Sequence, residues 1–282
     1  WRYRLKCSQR GLHKLGPARI ESGDPFGFLR NIIRIPKPDT ILVYPHVVPL
    51  QNLGIPADRP LGDVRQGLPI FVDLSRPSGL REYVLGDPLK TIDWKATAKS
   101  QSLQVRTYEP SSTYTVIIVV AVDTSTPHWD SYDPENLERV ISVAASVATF
   151  ATDERYTVGL FSNDMPITGN NPMTVSPSRG KDQLATILGT LATIRSYAIA
   201  PMSKQLMAYF QKFQLGSTLV VCTSFIHDEF VNTLNSLRGQ GFKIVILYVG
   251  DDEYPPLSDG IIVHNIRPYL DKLEEAGEPV TG

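Results

Sequence analysis

Cysteine is scarce: Cys7 and Cys222 are the only two in 282 residues, and they stand at opposite ends of the chain. That excludes a disulfide framework and a Cys-x-x-Cys zinc ribbon, and it fits a reducing compartment. Cys222 falls inside an apolar strand pattern, where a free thiol behaves as a small hydrophobe. Long apolar runs are missing too. None approaches the ~18 residues that span a bilayer, and no signal-peptide pattern occurs. An excess of charge of one sign is also lacking. With 28 Lys and Arg against 29 Asp and Glu, the net charge is −1 and the pI is near 6.6, so overall charge gives no reason to expect nucleic acid or an acidic membrane surface. Finally, no P-loop and no Gly-x-Gly-x-x-Gly turn is present, which leaves nucleotide hydrolysis and dinucleotide binding without support.

What is there is a globular composition, 42% hydrophobic and 20% charged, with enough chain for two domains of ordinary size. Residues 1 to about 75 read as all-β. Trp1, Tyr3, Leu5 and Cys7 alternate with Arg2, Arg4 and Lys6 as a half-buried strand. Turn chemistry at Ser22 to Gly27 and Pro36 to Asp39 then brackets strands at Asn31–Ile35 and Thr40–Tyr44. Pro45, Pro49, Pro56 and Pro60 oppose a helix, so a small sandwich or partly open barrel is expected.

From Tyr114 onward strands alternate with helices, which predicts a parallel sheet covered on both faces. The longest apolar run, Val116 to Val122, reads as its central strand; further strands are expected at Tyr156–Phe161, Thr218–Cys222, Phe242–Val249 and Gly260–Val263. Helical periods begin at Pro134, with Asp133 as N-cap, and recur through Leu184–Ile194, Leu206–Phe213, Phe230–Leu237 and Tyr269–Ala276. The expected division is a β-rich domain over 1–78, an ordered connector over 79–112, an α/β domain over 113–276 and a frayed tail over 277–282. In the connector, Asp87-Pro88 reads as the start of a short helix running to about Ala98, followed by a strand at Leu103–Tyr108.

The central strand ends in Asp123-Thr-Ser-Thr-Pro127, and in open α/β sheets the carboxyl end of the strands is where ligands bind. This junction resembles the metal-ion-dependent adhesion site of von Willebrand factor A domains, whose first motif is Asp-x-Ser-x-Ser. Asp123 and Ser125 match it, whereas Pro127 takes the place of the last Ser. Carried further, the resemblance puts Ala200, in the loop Tyr197–Met202, where the family has Thr, and Thr223-Ser224 where it has Thr-Asp. Mg²⁺ needs an octahedral set of hard oxygens. One carboxylate and two hydroxyls supply few of them, so Asp123 and Ser125 are expected to form at most a weak residual Mg²⁺ site. The competing reading has Asp123 capping and hydrogen-bonding nearby backbone at the strand end.

A second resemblance spans nearly the whole chain. Arg10 to Pro17, Ser22-Gly-Asp-Pro-Phe-Gly27, Val43-Tyr-Pro-His46, Leu80-Arg-Glu-Tyr83, Gly86-Asp-Pro88, Ile92-Asp-Trp94 and Leu103-Gln-Val-Arg106 together are similar to the bacterial domain-of-unknown-function family fifty-eight. The resemblance implies two transmembrane helices ahead of a region like this one, a β-rich part facing the cytoplasm, and a C-terminal A-like domain. It implies a MoxR-type AAA+ ATPase as partner in chaperone-like maturation of other proteins, and no catalytic activity. The start at Trp1 rather than Met then reads as a fragment cut after the second membrane helix.

The expected protein-binding residues are Asp123, Ser125, Thr223, Ser224 and Asp228 around the crevice, with Arg81 and Trp94 in the connector, since Trp and Arg dominate interface hot spots. Arg81, Glu82, Asp87, Asp93, Lys95 and Arg106 alternatively form an ion-pair network that fixes a junction. His227-Asp-Glu229 reads as the polar opening of a helix. A hydrolase built on Ser125, His128 and Asp130 lacks a nucleophile elbow and an oxyanion turn. The rival to a non-enzymatic, metal-independent interaction module is a metal-dependent adhesion receptor.

Overall fold

The computed structural model describes every residue except 1–3, 5, 8, 27, 37, 56–60, 62–71, 85–91, 111–113, 126–132, 166–171, 197, 278–279 and 281–282, and the side chains of 72–78 and 106–110 are likewise outside the description. Asp87, the Arg106 side chain, Pro127, His128, Asp130 and Tyr197 therefore lie outside the described residues.

The ribbon consists of β1 (Gly11–Leu15), β2 (Ala18–Gly23), β3 (Arg30–Ile35) and β4 (Asp39–Val43), of which β1 alternates in burial and β2 and β3 are exposed throughout. They nest as one hairpin: β1 pairs antiparallel with β4 and β2 with β3, with Leu15 opposite Asp39 and Ala18 opposite Ile35. Among the described residues these are two-stranded sheets rather than a closed sandwich. The expected strand over Trp1–Cys7 is not formed at its described residues Arg4, Lys6 and Cys7.

Two compact units emerge, Trp1–Gly62 with Thr115–Gly282, and Asp63–Tyr114. This division differs from the expected cuts at 78 and 112. The N-terminal ribbon belongs with the α/β part because specific groups hold it there. Arg10 forms a two-pronged pair with Glu138, Nε to Oε2 at 2.9 Å and Nη2 to Oε1 at 2.8 Å. Its Nη1 also donates to the Leu191, Ala192 and Ile194 carbonyls, which satisfies the end of a helix whose dipole favours a cation. Farther along, Val48 N donates to Ser146 Oγ at 2.8 Å, and Val48, Leu50, Leu53 and Ile55 are buried. After the 3-10 turn Leu50–Leu53, Gly54 adopts φ +70° directly under the Tyr269 ring; a Cβ there would sit 2.1 Å from Cζ.

The smaller unit holds β5 (Val72–Glu82) paired antiparallel with β6 (Gln104–Pro110), and α1 (Trp94–Ser100) between them. The helix start expected at Asp87-Pro88 lies outside the described residues. Asp93 is the N-cap, accepting from Lys95 N and Ala96 N, and Gln101 in the left-handed region ends the helix.

The main sheet contains β7 (Thr115–Val120), β8 (Thr157–Ser162), β9 (Met173–Ser178), β10 (Thr218–Thr223), β11 (Lys243–Tyr248) and β12 (Ile261–Asn265). Its order is β12-β11-β10-β7-β8-β9, parallel except for the edge strand β9. Counted within the domain this is the 3-2-1-4-5-6 order of a doubly wound fold, with its switch point between β7 and β10. Every residue of β7 and β10 is buried, as an apolar run covered on both faces requires. Alternate side chains serve opposite faces. Ile117, Val119, Leu219, Val221, Ile244 and Ile246 join α4 (Met202–Tyr209) and α5 (Asp228–Gly239) in one core.

The opposite face meets α2 (Pro134–Asp153), on which α3 (Gln183–Thr193) packs. Asp133 caps α2 through Glu135 N and Asn136 N with Pro134 in its first turn, as the sequence indicated. Arg139 on α2 joins Glu274 on α6 (Arg267–Glu275) at 2.8 Å. The tail expected to fray is seated at one point, where Val280 is 2% exposed.

Candidate functional site at the carboxyl end of the sheet

Three chain segments leave the sheet at the same end, and one amide ties them together. Beyond β7 the chain stays buried through Ala121, Val122 and Asp123. Beyond β8 comes Asn163, fully buried. Its Oδ1 accepts from Val122 N at 3.0 Å, while its Nδ2 donates to Asp123 Oδ1 at 2.7 Å and to the Ala200 carbonyl at 3.0 Å. The second carboxylate oxygen, Asp123 Oδ2, accepts from Met202 N at 3.1 Å. Met202 is the first residue of α4, whose own N-cap, Pro201, provides no side-chain bond. Asp123 thus supplies, from 79 residues away, the anion that a helix N-terminus favours.

Asp164, next along, is fully buried, accepts from Arg195 N at 3.1 Å and bridges to Ala198. Asn163 and Asp164 are the residues that reading the sequence missed. The signal was available: they follow the apolar strand Thr157–Ser162 just as Asp123 follows its own.

At the end of β10, adjacent to β7, Thr223 Oγ1 donates to the Phe225 carbonyl at 2.8 Å and accepts from Phe225 N at 3.2 Å. Ser224 is 5% exposed, and its Oγ has no hydrogen-bond partner among the described residues. Gly250, after β11, passes so close that a Cβ would lie 2.0 Å from the Ser224 carbonyl oxygen. Ser125 is half-buried, and the neighbouring Thr124 Oγ1 accepts from Asp133 N at 3.0 Å, linking the motif to the start of α2. Asp228 is exposed in the first turn of α5. His227 precedes it, with its ring stacked between Phe225 and Phe230 at centroid distances of 5.7 and 6.3 Å.

The seven residues picked from sequence therefore divide. Asp123, Thr223 and Ser224 are buried scaffold, Ser125 and Asp228 reach the rim, and all five belong to the larger unit. Arg81 and Trp94 belong to the smaller unit; Arg81 is exposed with Nη1 donating to the Glu82 carbonyl at 3.1 Å, and Trp94 is 68% exposed. The Asp93 carboxylate, counted above in an ion-pair network, spends its described bonds on capping α1.

These residues do not fit a Mg²⁺ site. Both Asp123 oxygens already accept from N–H groups that a cation would have to displace, Ala200 presents a carbonyl engaged by Asn163, and Thr223 Oγ1 is turned to Phe225. Hard-cation sites depend on oxygens free to point inward. Nor is there a prepared nucleophile in Cys222: burial pushes its thiol far above the usual thiol range, which suppresses the reactive thiolate.

Beside this knot runs a cleft of about 550 Å³ between the start of the ribbon (Gln9 to Leu12), the first turns of α2 (Pro134, Glu138) and the end of α3 (Ala192 to Arg195). Burial raises the Glu138 pKa, and the Arg10 guanidinium opposes that rise without cancelling it. Arg195 is exposed at its edge.

The strand order, the acid closing the first strand of the sheet and the crevice above it define a von Willebrand factor A-like domain. The chain belongs to the family described as Protein of unknown function DUF58, whose model matches residues 79–260. It is 24% identical over 153 residues to the uncharacterized protein YeaD of Bacillus subtilis (strain 168), covering 51% of this chain and 34% of that protein. This chain thus spans about a third of the relative's length. Among solved structures it is similar to the SpRpn10 VWA domain, at 11% identity and a TM-score of 0.35 over 60% of this chain and 97% of the other. It is also similar to an aerotolerance-related membrane protein from Bacteroides fragilis NCTC 9343, at 13% identity and a TM-score of 0.33 over 58% and 89%. Among the described residues no helix is long and apolar enough to cross a membrane.

Proposed function

We propose that this chain is a non-enzymatic protein-interaction module that docks its partner at the carboxyl end of the main sheet without a metal ion. The observation that supports this most is the closed bonding of the Asp123 carboxylate to Asn163 Nδ2 and Met202 N. In this reading Asp123, Thr223 and Ser224 hold the crevice in shape, and contact falls to the rim, through Ser125, Asp228 and the cleft edge at Arg195. Trp94 and Arg81 form a second anchor on the smaller unit, suited by residue type to an interface hot spot. The partner is a MoxR-type AAA+ ATPase, which supplies the ATP chemistry for chaperone-like maturation of client proteins, and the full-length protein is held at the bacterial inner membrane with this region in the cytoplasm.

Capture of a purified MoxR-type ATPase on immobilised chain tests the reading, with and without EDTA. Capture should be equal in both conditions and should fall about tenfold or more in Asp228→Lys or Trp94→Ala, the scale of a hot-spot loss. Capture that requires Mg²⁺, together with a thermal midpoint raised by Mg²⁺ or Mn²⁺, transfers the conclusion to a metal-dependent adhesion protein.

A further inference from the structure

The outer half of the N-terminal ribbon buries none of its strand residues: all of β2 and all of β3 are exposed. A two-stranded hairpin with nothing against either face is marginal in water. The register sorts its side chains, since directly opposed residues share a face. Ala18 with Ile35 and Ile20 with Ile33 make one side apolar, and Arg19 with Arg34, and Gly23 with Arg30, place three guanidiniums on the other, where the pair Glu21 and Ile32 lies between them. Glu21, on that basic side, pairs with both Arg19 and Arg30.

The turn joining these strands carries the most exposed of the large apolar side chains among the described residues. Phe26, Phe28 and Leu29 are 82%, 87% and 74% exposed. The turn is fastened behind them: Asp24 N donates to the Leu29 carbonyl at 3.2 Å, and Asp24 Oδ1 accepts from Leu29 N at 2.6 Å. Two aromatic rings and a leucine are thereby exposed together at one turn, whose two ends Asp24 and Leu29 are bonded to each other. Apolar clusters of this kind on a protein surface mark an interaction site.

We propose that this tip inserts into the interfacial layer of an anionic lipid bilayer. Phe26, Phe28 and Leu29 enter the acyl boundary, and Arg19, Arg30 and Arg34 stay behind at the level of the phosphates. A guanidinium binds phosphate oxygens in a forked geometry, and its long stem lets the head remain polar while the stem lies along apolar surface. Exposed apolar groups at the end and cations on the flank match the layering of a bilayer, hydrocarbon beneath charged headgroups. The net charge of the chain gives no sign of this, because it sums over the whole sequence while Arg19, Arg30 and Arg34 share one face of one ribbon. The inference stands apart from the partner-docking reading, which concerns the sheet's carboxyl end.

The test is sedimentation of the full chain with sucrose-loaded vesicles of phosphatidylcholine alone or mixed with phosphatidylglycerol. Binding should require phosphatidylglycerol, weaken with added salt, and drop about tenfold or more in Phe26→Ser/Phe28→Ser, which removes two rings from the inserted surface. Arg30→Gln/Arg34→Gln should lose the preference for the anionic lipid. All four positions are exposed, so the thermal midpoints should equal that of the parent chain. No association with anionic vesicles, or equal association of the Phe variant, overturns the proposal. So does a concentration-dependent self-association abolished by the same Phe substitutions, which would make a second copy of the chain the occupant of this surface.

Discussion

Asp123 and Asn163 close one ring at the end of two adjacent strands: the Asn163 amide donates to the Asp123 carboxylate at 2.7 Å while its own oxygen receives Val122 N at 3.0 Å. The carboxylate's remaining described bond is to the first N–H of α4. Removing either side chain strands buried donors, so Asp123→Ala and Asn163→Ala should each lower stability by about 2–4 kcal/mol. The double variant should cost about 1–3 kcal/mol less than the sum. Urea denaturation of the four proteins checks this, and the losses should be the same with and without Mg²⁺.

Burial lowers the His264 pKa from its usual 6.5, and Nε2 is buried without a hydrogen-bond partner among the described residues. As pH falls, the unfolded chain therefore takes up this proton before the folded one. The contribution is fully present above about pH 6.5 and is lost as pH falls through 6.5 toward the folded value, with a slope of up to about 1.4 kcal/mol per unit. His264→Leu should flatten that limb when urea stability is measured from about pH 8 to pH 5.

Gly54→Ala should destabilise by about 2–4 kcal/mol, since φ +70° disfavours a side chain and the Tyr269 ring occupies the space a Cβ needs. Measured against Tyr269→Ala as the parent, the same change should cost only the backbone part, about 1 kcal/mol. Thermal unfolding of the two pairs separates packing from backbone strain.

Val280→Asp should lower stability by at least about 2 kcal/mol, because Val280 is 2% exposed and a carboxylate there is desolvated. An unchanged denaturation midpoint would mean that the tail carries no packing.

The main sheet was legible because its inner strands are continuous β-branched runs and its first helix opens with a recognisable cap, Asp133-Pro134. The edge strand β9 was not: Met-Thr-Val-Ser-Pro-Ser is short and polar, and its Pro177 is tolerated only because an edge strand has no second neighbour to serve. β1 and β2 lie in the stretch expected to be all-β but carry no individual strand assignment, since each is short and bounded by Gly and Pro rather than built on an apolar run. At the site, Asp123 was visible as an acid after an apolar run. Its partners Asn163 and Met202 lie 40 and 79 residues away, and only the sheet order brings them together. The grouping of the ribbon with the α/β part is hidden for the same reason. Nothing local in Arg10 announces Glu138 or the end of α3.

That last attachment has a consequence for how the chain comes into being. Arg10 leaves the ribosome long before the Leu191 carbonyl that receives it, 181 residues later in the chain. Synthesis at about 5–20 residues per second leaves the ribbon waiting on the order of ten seconds or more for its seat. During that interval β1 and β4, the strands α3 later packs against, lack that cover, the condition under which nascent chains aggregate, whereas β2 and β3 are exposed even in the finished fold. The Arg19, Arg30 and Arg34 face of the same ribbon then serves a purpose both before and after folding is complete: charges beside an apolar strand act as gatekeepers, holding one copy away from the next.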